Sequence, residues 1–339
     1  MKRSFLYALM FVTALVCAAP SGAQSRIVVG GRGVPMLADA MYLFPGVGPS
    51  IVAFASADQG LGIFMSAIDP TFNAKARFDK SAGPEVYASF KPDIIILKEM
   101  MRSQLKPGLD ALSLRQVYLN LETPEDYYKD LATLGNLFGQ EARAREVIAW
   151  FQTREQNITR RTSSIPHGQK PRVLVLQHGT GGEGIWQVPP SSWIQTLMVE
   201  RAGGVPVWKQ ANPGNGWATV GPEQIAAWNP DLVLIIRYAG DSRESARGFA
   251  KDPRLAGLAA VRNGKVFGFP QDFYSWDQPD TRWILGFTWL ARTIHPALFG
   301  DIDLAGFTRE FYSFMYGFDA ATFDRLIRPK LAGDLGVQF

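Results

Sequence analysis

Aliphatic runs stopped by proline give this chain its pattern. Residues 83–97 read GPEVYASFKPDIIIL and residues 221–235 read GPEQIAAWNPDLVLI, an ungapped repeat at an offset of 138. Each copy opens with Gly-Pro-Glu, passes an alanine and an aromatic residue, and ends in Pro-Asp and four aliphatics. Pro84 and Pro222 suit the first turn of a helix, where a missing N–H has no intrahelical partner. Glu85 and Glu223 complement the positive helix N-terminus. Pro92 and Pro230 bar the α region to their predecessors and so end each helix. The runs Ile94–Leu97 and Leu232–Ile236 then predict strands buried on both faces of a parallel sheet. Arg26–Val29 and Arg172–Gln177 predict a further strand at the head of each half. The simplest inference is two α/β lobes of like topology.

Residues 141–163 contain neither Gly nor Pro. Ala144, Val147, Ile148, Phe151 and Ile158 recur at helical spacing, which predicts one long amphipathic helix joining the lobes. The segment Ser164–Lys170, with Pro166 and Gly168, ends it. The organisation expected is a signal peptide over 1–23, an N-terminal lobe over 24–140, a connecting helix within 141–168, and a C-terminal lobe with terminal helices over 169–339. Those terminal helices are Asp277–Ile294, with Asp277 read as a cap and Arg282 as solvated, and an aromatic-rich one near Leu304–Tyr316.

The first 25 residues change the picture of location. Lys2 and Arg3 precede an apolar run from Phe5 to Ala19, and Ser21 and Ala23 follow at cleavage spacing. This is the layout of a secretory signal peptide, and the run is shorter than the roughly 20 residues a bilayer span needs. The only cysteine, Cys17, lies inside it, so a mature chain would hold no thiol or disulfide. Val16 stands where lipid-anchoring signals prefer a small residue, which argues against lipidation at Cys17. The formal net charge of +4 falls to +2, 33 bases against 31 acids, without Lys2 and Arg3. No Lys/Arg run supports nucleic-acid binding. An apolar fraction of 47% excludes wholesale disorder.

The two Pro-Asp-aliphatic repeats, EQIAAWNPDLVLII, DPRLAGLAAVRNGKVFGFP and SWDQPDTRWILGFTWLARTIHPALF together resemble the periplasmic substrate-binding proteins of iron-complex and cobalamin ABC importers. The resemblance covers most of residues 25–315. It implies two Rossmann-like lobes with mostly parallel sheets, bridged by one long helix. It also implies a capture protein that takes an iron chelate such as a siderophore or haem, or a related metal complex, between the lobes. Delivery would be to a membrane permease with its ATPase, docked through an acidic residue on each lobe. Such a protein is expected to be a periplasmic monomer without catalytic residues, resident metal or cofactor, and with limited lobe motion.

In open parallel sheets ligands bind beyond the carboxyl ends of the strands. That rule selects Arg32 and Lys98 in the first half. In the second it selects His178, Trp186, Arg237, Tyr238, Tyr274 and Trp276. Arginine forks suit oxyanion or catecholate oxygens, and aromatic walls suit large chelates. The expected ligand is therefore anionic and partly apolar.

Other signals are set aside. Gly179–Gly184 fits G-x-G-x-x-G, but Pro189 and Pro190 block the helix a dinucleotide site needs. No G-x-S-x-G or GxxxxGK[ST] occurs. With only His167, His178 and His295, no zinc or manganese ligand set is visible. Two rivals remain: a molybdate or tungstate receptor on the same scaffold, and an exported α/β hydrolase or oxidoreductase. A serine or carboxylate within reach of His178 in a closed pocket would favour the enzyme.

Overall fold

The computed structural model describes residues 25–56, 63–179 and 184–339. The expected leader, with Cys17, and the middle of the glycine loop lie outside them. Among the described residues no helix is long and apolar enough to cross a membrane.

Two sheets form. The first contains β1 (Ile27–Val29), β2 (Ile51–Ala55), β3 (Ala76–Phe78), β4 (Ile94–Lys98) and β5 (Gln116–Leu119), in the order β3-β2-β1-β4-β5. Every pairing in it is parallel. The second contains β6 (Arg172–His178), β7 (Trp186–Val188), β8 (Val205–Pro206), β9 (Ala218–Val220), β10 (Leu232–Ile236) and β11 (Val266–Gly268). Its order is β11-β10-β6-β7-β9, with β8 beside β6. Here β7 is antiparallel to β6 and to β9, and the other pairings are parallel. The fold is thus α/β with one fully parallel and one mixed sheet. The repeat strands β4 and β10 lie in different sheets, and each is buried along its whole length.

The duplication explains itself locally. The repeat helices are Pro84–Ser89 and Pro222–Trp228, each preceded by an extended glycine and each with proline at its start. The residue before each internal proline cannot stay helical, and both Lys91 and Asn229 turn left-handed, at φ 49° and 38°. Each Pro-Asp aspartate then clasps the neighbouring strand. Asp93 Oδ2 accepts the backbone N–H of Arg26 at 2.7 Å, and Asp231 Oδ2 accepts that of Arg172 at 2.8 Å. The same two arginines donate from their guanidinium groups to the last aromatic carbonyls of the repeat helices, Phe90 O at 2.7 Å and Trp228 O at 2.8 Å. The Pro-Asp pair therefore sets where β1 meets β4 and where β6 meets β10.

The long helix runs Glu141–Thr162 and buries Ala144, Val147, Trp150, Phe151 and Ile158. It packs against both halves. Its own N-terminal neighbour, the helix Pro124–Phe138, lies alongside it. Phe151 stacks on Trp283 at 5.5 Å, and Trp150 stacks on Phe307 at 5.6 Å. Arg201, at the end of the helix Ile194–Arg201, pairs with Glu155 on the long helix and with Glu125 at 2.8 Å.

One helix starts later than its pattern suggests. The helix expected over Asp277–Ile294 begins only at Trp283. Residues 269–285 are buried throughout, and up to Arg282 they run without helix. Asp277 is therefore not a helix cap, and Arg282, fully buried, is not solvated. The reason is packing. Gly286 lies against the backbone of Trp276, where a β-carbon would come within 2.1 Å of its carbonyl oxygen. The irregular segment is thus pressed onto the helix rather than wound into it. The chain's final residues cover the open edge of the second sheet: Asp334 N donates to Gly268 O at 2.9 Å, and Gly268 N donates to Asp334 Oδ2 at 2.7 Å.

Gly286→Ala is expected to lower the unfolding free energy by about 1–3 kcal/mol through this overpacking. Asp231→Ala should cost about 1 kcal/mol by opening an exposed clasp. Urea denaturation of each variant measures both, and a neutral Gly286→Ala would show that the segment does not press on this helix.

Candidate functional site

The carboxyl ends of β6 and β10 open into a cavity of about 730 Å³. His178 ends β6, Arg237 follows β10, and Trp186 begins β7. All three line it, with Lys251 and Arg254 from the far wall. The sequence therefore brought three of its expected ligand residues to one place. The local reason is strand alternation: Arg237 and Tyr238 leave the end of β10 on opposite faces. Arg237 turns towards the helix Ser242–Lys251, where its Nη1 meets Glu244 Oε2 at 3.1 Å. His178 lies 5.1 Å from the ring of Trp186, which in turn packs edge-on against Phe249 at 5.2 Å. Arg254 pairs with Asp252 at 2.6 Å. Three lysine and arginine side chains thus face two carboxylates, and the wall keeps an excess of cationic donors. Such a wall suits an anionic ligand with an apolar face.

His178 Nδ1 also shares a hydrogen bond of 2.7 Å with Ser245 Oγ. This is a serine within reach of the histidine. However, Ser245 sits inside the helix Ser242–Lys251 and is only 5% exposed. A nucleophilic serine needs an exposed turn and adjacent oxyanion donors. Ser245 instead fixes the orientation of the imidazole at the rim of an open cavity.

On the other face, Tyr238 is half-buried and its hydroxyl donates to Asp277 Oδ2 at 2.9 Å. Gln195 Nε2 donates to the same oxygen at 3.0 Å. Burial pushes the Asp277 carboxyl up, and these hydrogen bonds partly offset it. Burial and then the neighbouring Asp277 push the Tyr238 phenol well above its ordinary range, so it stays a donor. Trp217 lies 6.2 Å from Tyr238, and Trp193 lies 5.8 Å from Trp217. These two half-buried tryptophans extend the aromatic surface around Tyr238. The strand-end rule passed over them because neither follows a predicted strand.

In the first half, Arg32 follows β1, is exposed, and makes no ion pair among the described residues. Met100, just beyond β4, is 61% exposed. Lys98 is different. It belongs to β4, is 2% exposed, donates to Asn120 O and pairs with Glu122 at 2.7 Å. Its side chain holds the loop after β5 and faces no open wall.

Tyr274 and Trp276 are likewise buried, at 2% and 0% exposure. They belong to a polar cluster packed between the two halves. Arg282 is its centre. Its Nη1 meets Asp39 Oδ2, on the helix after β1, and its Nε donates to Asp272 Oδ1 at 2.6 Å. Its backbone N–H donates to Asp280 Oδ1 at 2.7 Å. The guanidinium lies 4.4 Å from the ring of Phe64, beyond β2, and 5.0 Å from that of Tyr274. Trp276 Nε1 donates to Asp272 Oδ2 at 2.9 Å, and the Tyr312 hydroxyl donates to the same oxygen. The chemistry of this cluster is cohesion between the halves. A sequence signal existed, since Asp39 is an acid on the apolar helix VPMLADAM, but nothing in the sequence paired it with Arg282. Among the described residues, no group of His, Cys, Asp and Glu has the arrangement of a metal site.

Residues 78–273 match the periplasmic binding protein family. The chain is 22% identical over 258 residues to the molybdate-binding protein MolA of Haemophilus influenzae, covering 70% of each chain. It is also 22% identical over 187 residues to the high-affinity haem uptake system protein IsdE of Staphylococcus aureus, covering 54% of this chain and 61% of that one. In fold it is similar to an ABC transporter solute-binding protein from Sulfurospirillum deleyianum, with a TM-score of 0.72, 19% identity, and 89% and 93% of the two chains covered. With the match spanning more than half of its length, and with two duplicated α/β halves joined by one helix, this chain belongs to the periplasmic binding protein family.

Proposed function

We propose that the chain is the exported solute-binding component of an ABC importer and captures an anionic metal complex, an iron chelate of siderophore or haem type, at the strand ends of its second sheet. The observation that carries this reading is the cavity at β6 and β10. Its volume of about 730 Å³ lies within the roughly 300–1,000 Å³ of small-molecule sites. It exceeds what a tetrahedral oxyanion fills. His178 and Trp186 supply rings, and Arg237 supplies a forked donor. All the lining residues belong to the second half, and Arg32, exposed after β1 in the first, is not among them. The relatives support cargo of this chemistry, since one is named for molybdate and another for haem uptake.

Calorimetric titration with a ferric catecholate siderophore, haemin, cobalamin and molybdate tests the reading. A chelate is expected to bind, and Arg237→Ala to weaken it about tenfold to a hundredfold, the worth of one charge-assisted hydrogen bond. Binding of molybdate alone would move the assignment to an oxyanion receptor. Binding of none of the four would remove it.

The duplication also supplies the docking pair. Glu85 and Glu223 occupy matching positions in the first turn of the two repeat helices, and both are exposed. One such acid on each half can meet paired arginines of a permease. Glu85→Ala with Glu223→Ala is expected to abolish uptake in proteoliposomes holding the cognate permease while leaving ligand affinity within about twofold, since neither residue lines the cavity. Uptake at the wild-type rate would show that docking lies elsewhere.

A further inference from the structure

The cluster around Arg282 holds more acid than base. Asp39, Asp272 and Asp280 surround one guanidinium, and all four side chains are fully buried. Their hydrogen bonds distinguish the three carboxylates. Asp272 accepts four donors: Arg282 Nε, Tyr274 N, Trp276 Nε1 and the Tyr312 hydroxyl. It is the most fully hydrogen-bonded of the three. Asp39 accepts only at Oδ2, from Arg282 and from Thr281 at 3.3 Å, and Asp280 only at Oδ1. Asp39 Oδ1 and Asp280 Oδ2 receive no hydrogen bond among the described residues. One arginine cannot compensate three buried negative charges, and a buried uncompensated charge is neutralised instead.

The cluster also joins the two halves. Asp39 lies on the helix after β1, and Phe64 beyond β2. Asp272, Asp280 and Arg282 follow β11, and Tyr312 and Tyr316 lie on the helix Leu304–Tyr316. We propose that this cluster is a proton-dependent latch, in which the packed form keeps a proton on Asp39 and separation of the two halves releases it to solvent. The inference rests on the fold and not on the identity of the ligand.

The groups facing Asp39 support the assignment. Among the described residues Arg282 is the one cation acting on it. Asp272 and Asp280 repel its negative form, and Tyr274, Tyr312, Tyr316 and Tyr127 are neutral. Burial pushes Asp39 up from 3.8 to about 6, with Arg282 offsetting part of it. Burial also pushes Asp280 well above the usual carboxylate range. The sign follows. A carboxyl raised in the packed form stabilises packing fully below its ordinary value, and that stabilisation is lost as pH rises through about 6. The opening equilibrium therefore grows with pH, by up to about tenfold per unit between these values and roughly a hundredfold in all.

The test uses the full mature chain. Spin labels at Ser103→Cys and Ala250→Cys, exposed positions on opposite halves, report the distance between the halves. Amide exchange over Phe64–Ile68 and residues 272–282 reports the latch itself. In the wild type, exchange at these amides, after correction for intrinsic rates, should accelerate roughly a hundredfold from pH 4 to pH 6.5, with a growing long-distance population. Asp39→Asn, a neutral mimic of the protonated acid, should hold the short distance and flatten the profile. Asp280→Asn serves as the second variant if Asp39→Asn does not fold, and it should shallow the same slope. A wild-type profile flat across this range overturns the latch, as does a full slope in every folded variant.

Discussion

A single buried guanidinium sets the relation between the two halves of this protein. Arg282 is fully buried, so its charge must be met inside the protein, and the groups that meet it come from distant parts of the chain. Asp39 arrives from the first helix, Asp272 and Asp280 from the segment after β11, and Phe64 from the loop after β2. Removing the guanidinium would leave buried carboxylates uncompensated, a loss of roughly 3–5 kcal/mol. Arg282, Asp272 and Asp280 lie in the non-helical segment 272–282 that precedes the helix starting at Trp283. Tyr274 and Trp276 are interior groups of the same segment.

The long helix acts with the same effect from the other side. Glu141–Thr162 packs against the first half through Phe151 on Tyr127, and against the second through Phe151 on Trp283 and Glu155 with Arg201. A lobe pair held by one rigid helix and one charged latch has few soft dihedrals in which to hinge. Outside any opening at that cluster, small displacements are expected, in contrast to the large closures of proteins joined by several extended segments.

The duplicated Pro-Asp clasp creates two similar frames, but the frames carry different chemistry. In the second sheet β7 and β9 turn antiparallel beside β6 and place Trp186 next to His178 at the strand ends. Among the described residues the first sheet has no such insertion, and its strand ends offer an exposed Arg32 and Met100 instead. The strand ends are therefore asymmetric although their scaffold is repeated. His178 illustrates how closely a supporting hydrogen bond can approach the geometry of a catalytic pair. Its partner Ser245 has the distance of a catalytic pair but the burial and helical setting of a support.

What the sequence by itself determined is local. Proline positions, helical periodicity and aliphatic runs fixed the repeat helices, β4, β10 and the long helix, because each depends on backbone sterics and on which residues avoid water. The same reasoning placed His178, Trp186 and Arg237 at strand ends, where they line one cavity, since a strand's end is readable from its own residues. Only the tertiary structure decided that Lys98, Tyr274 and Trp276 turn inward, that Trp193 and Trp217 join Tyr238, and that Arg282 is a core residue. Several of these outcomes depend on partners far away in sequence, 22 residues for Lys98 with Asn120 and 243 for Arg282 with Asp39. A buried charge is stable only where its counter-charges converge, and convergence is a property of three-dimensional packing that no local pattern records.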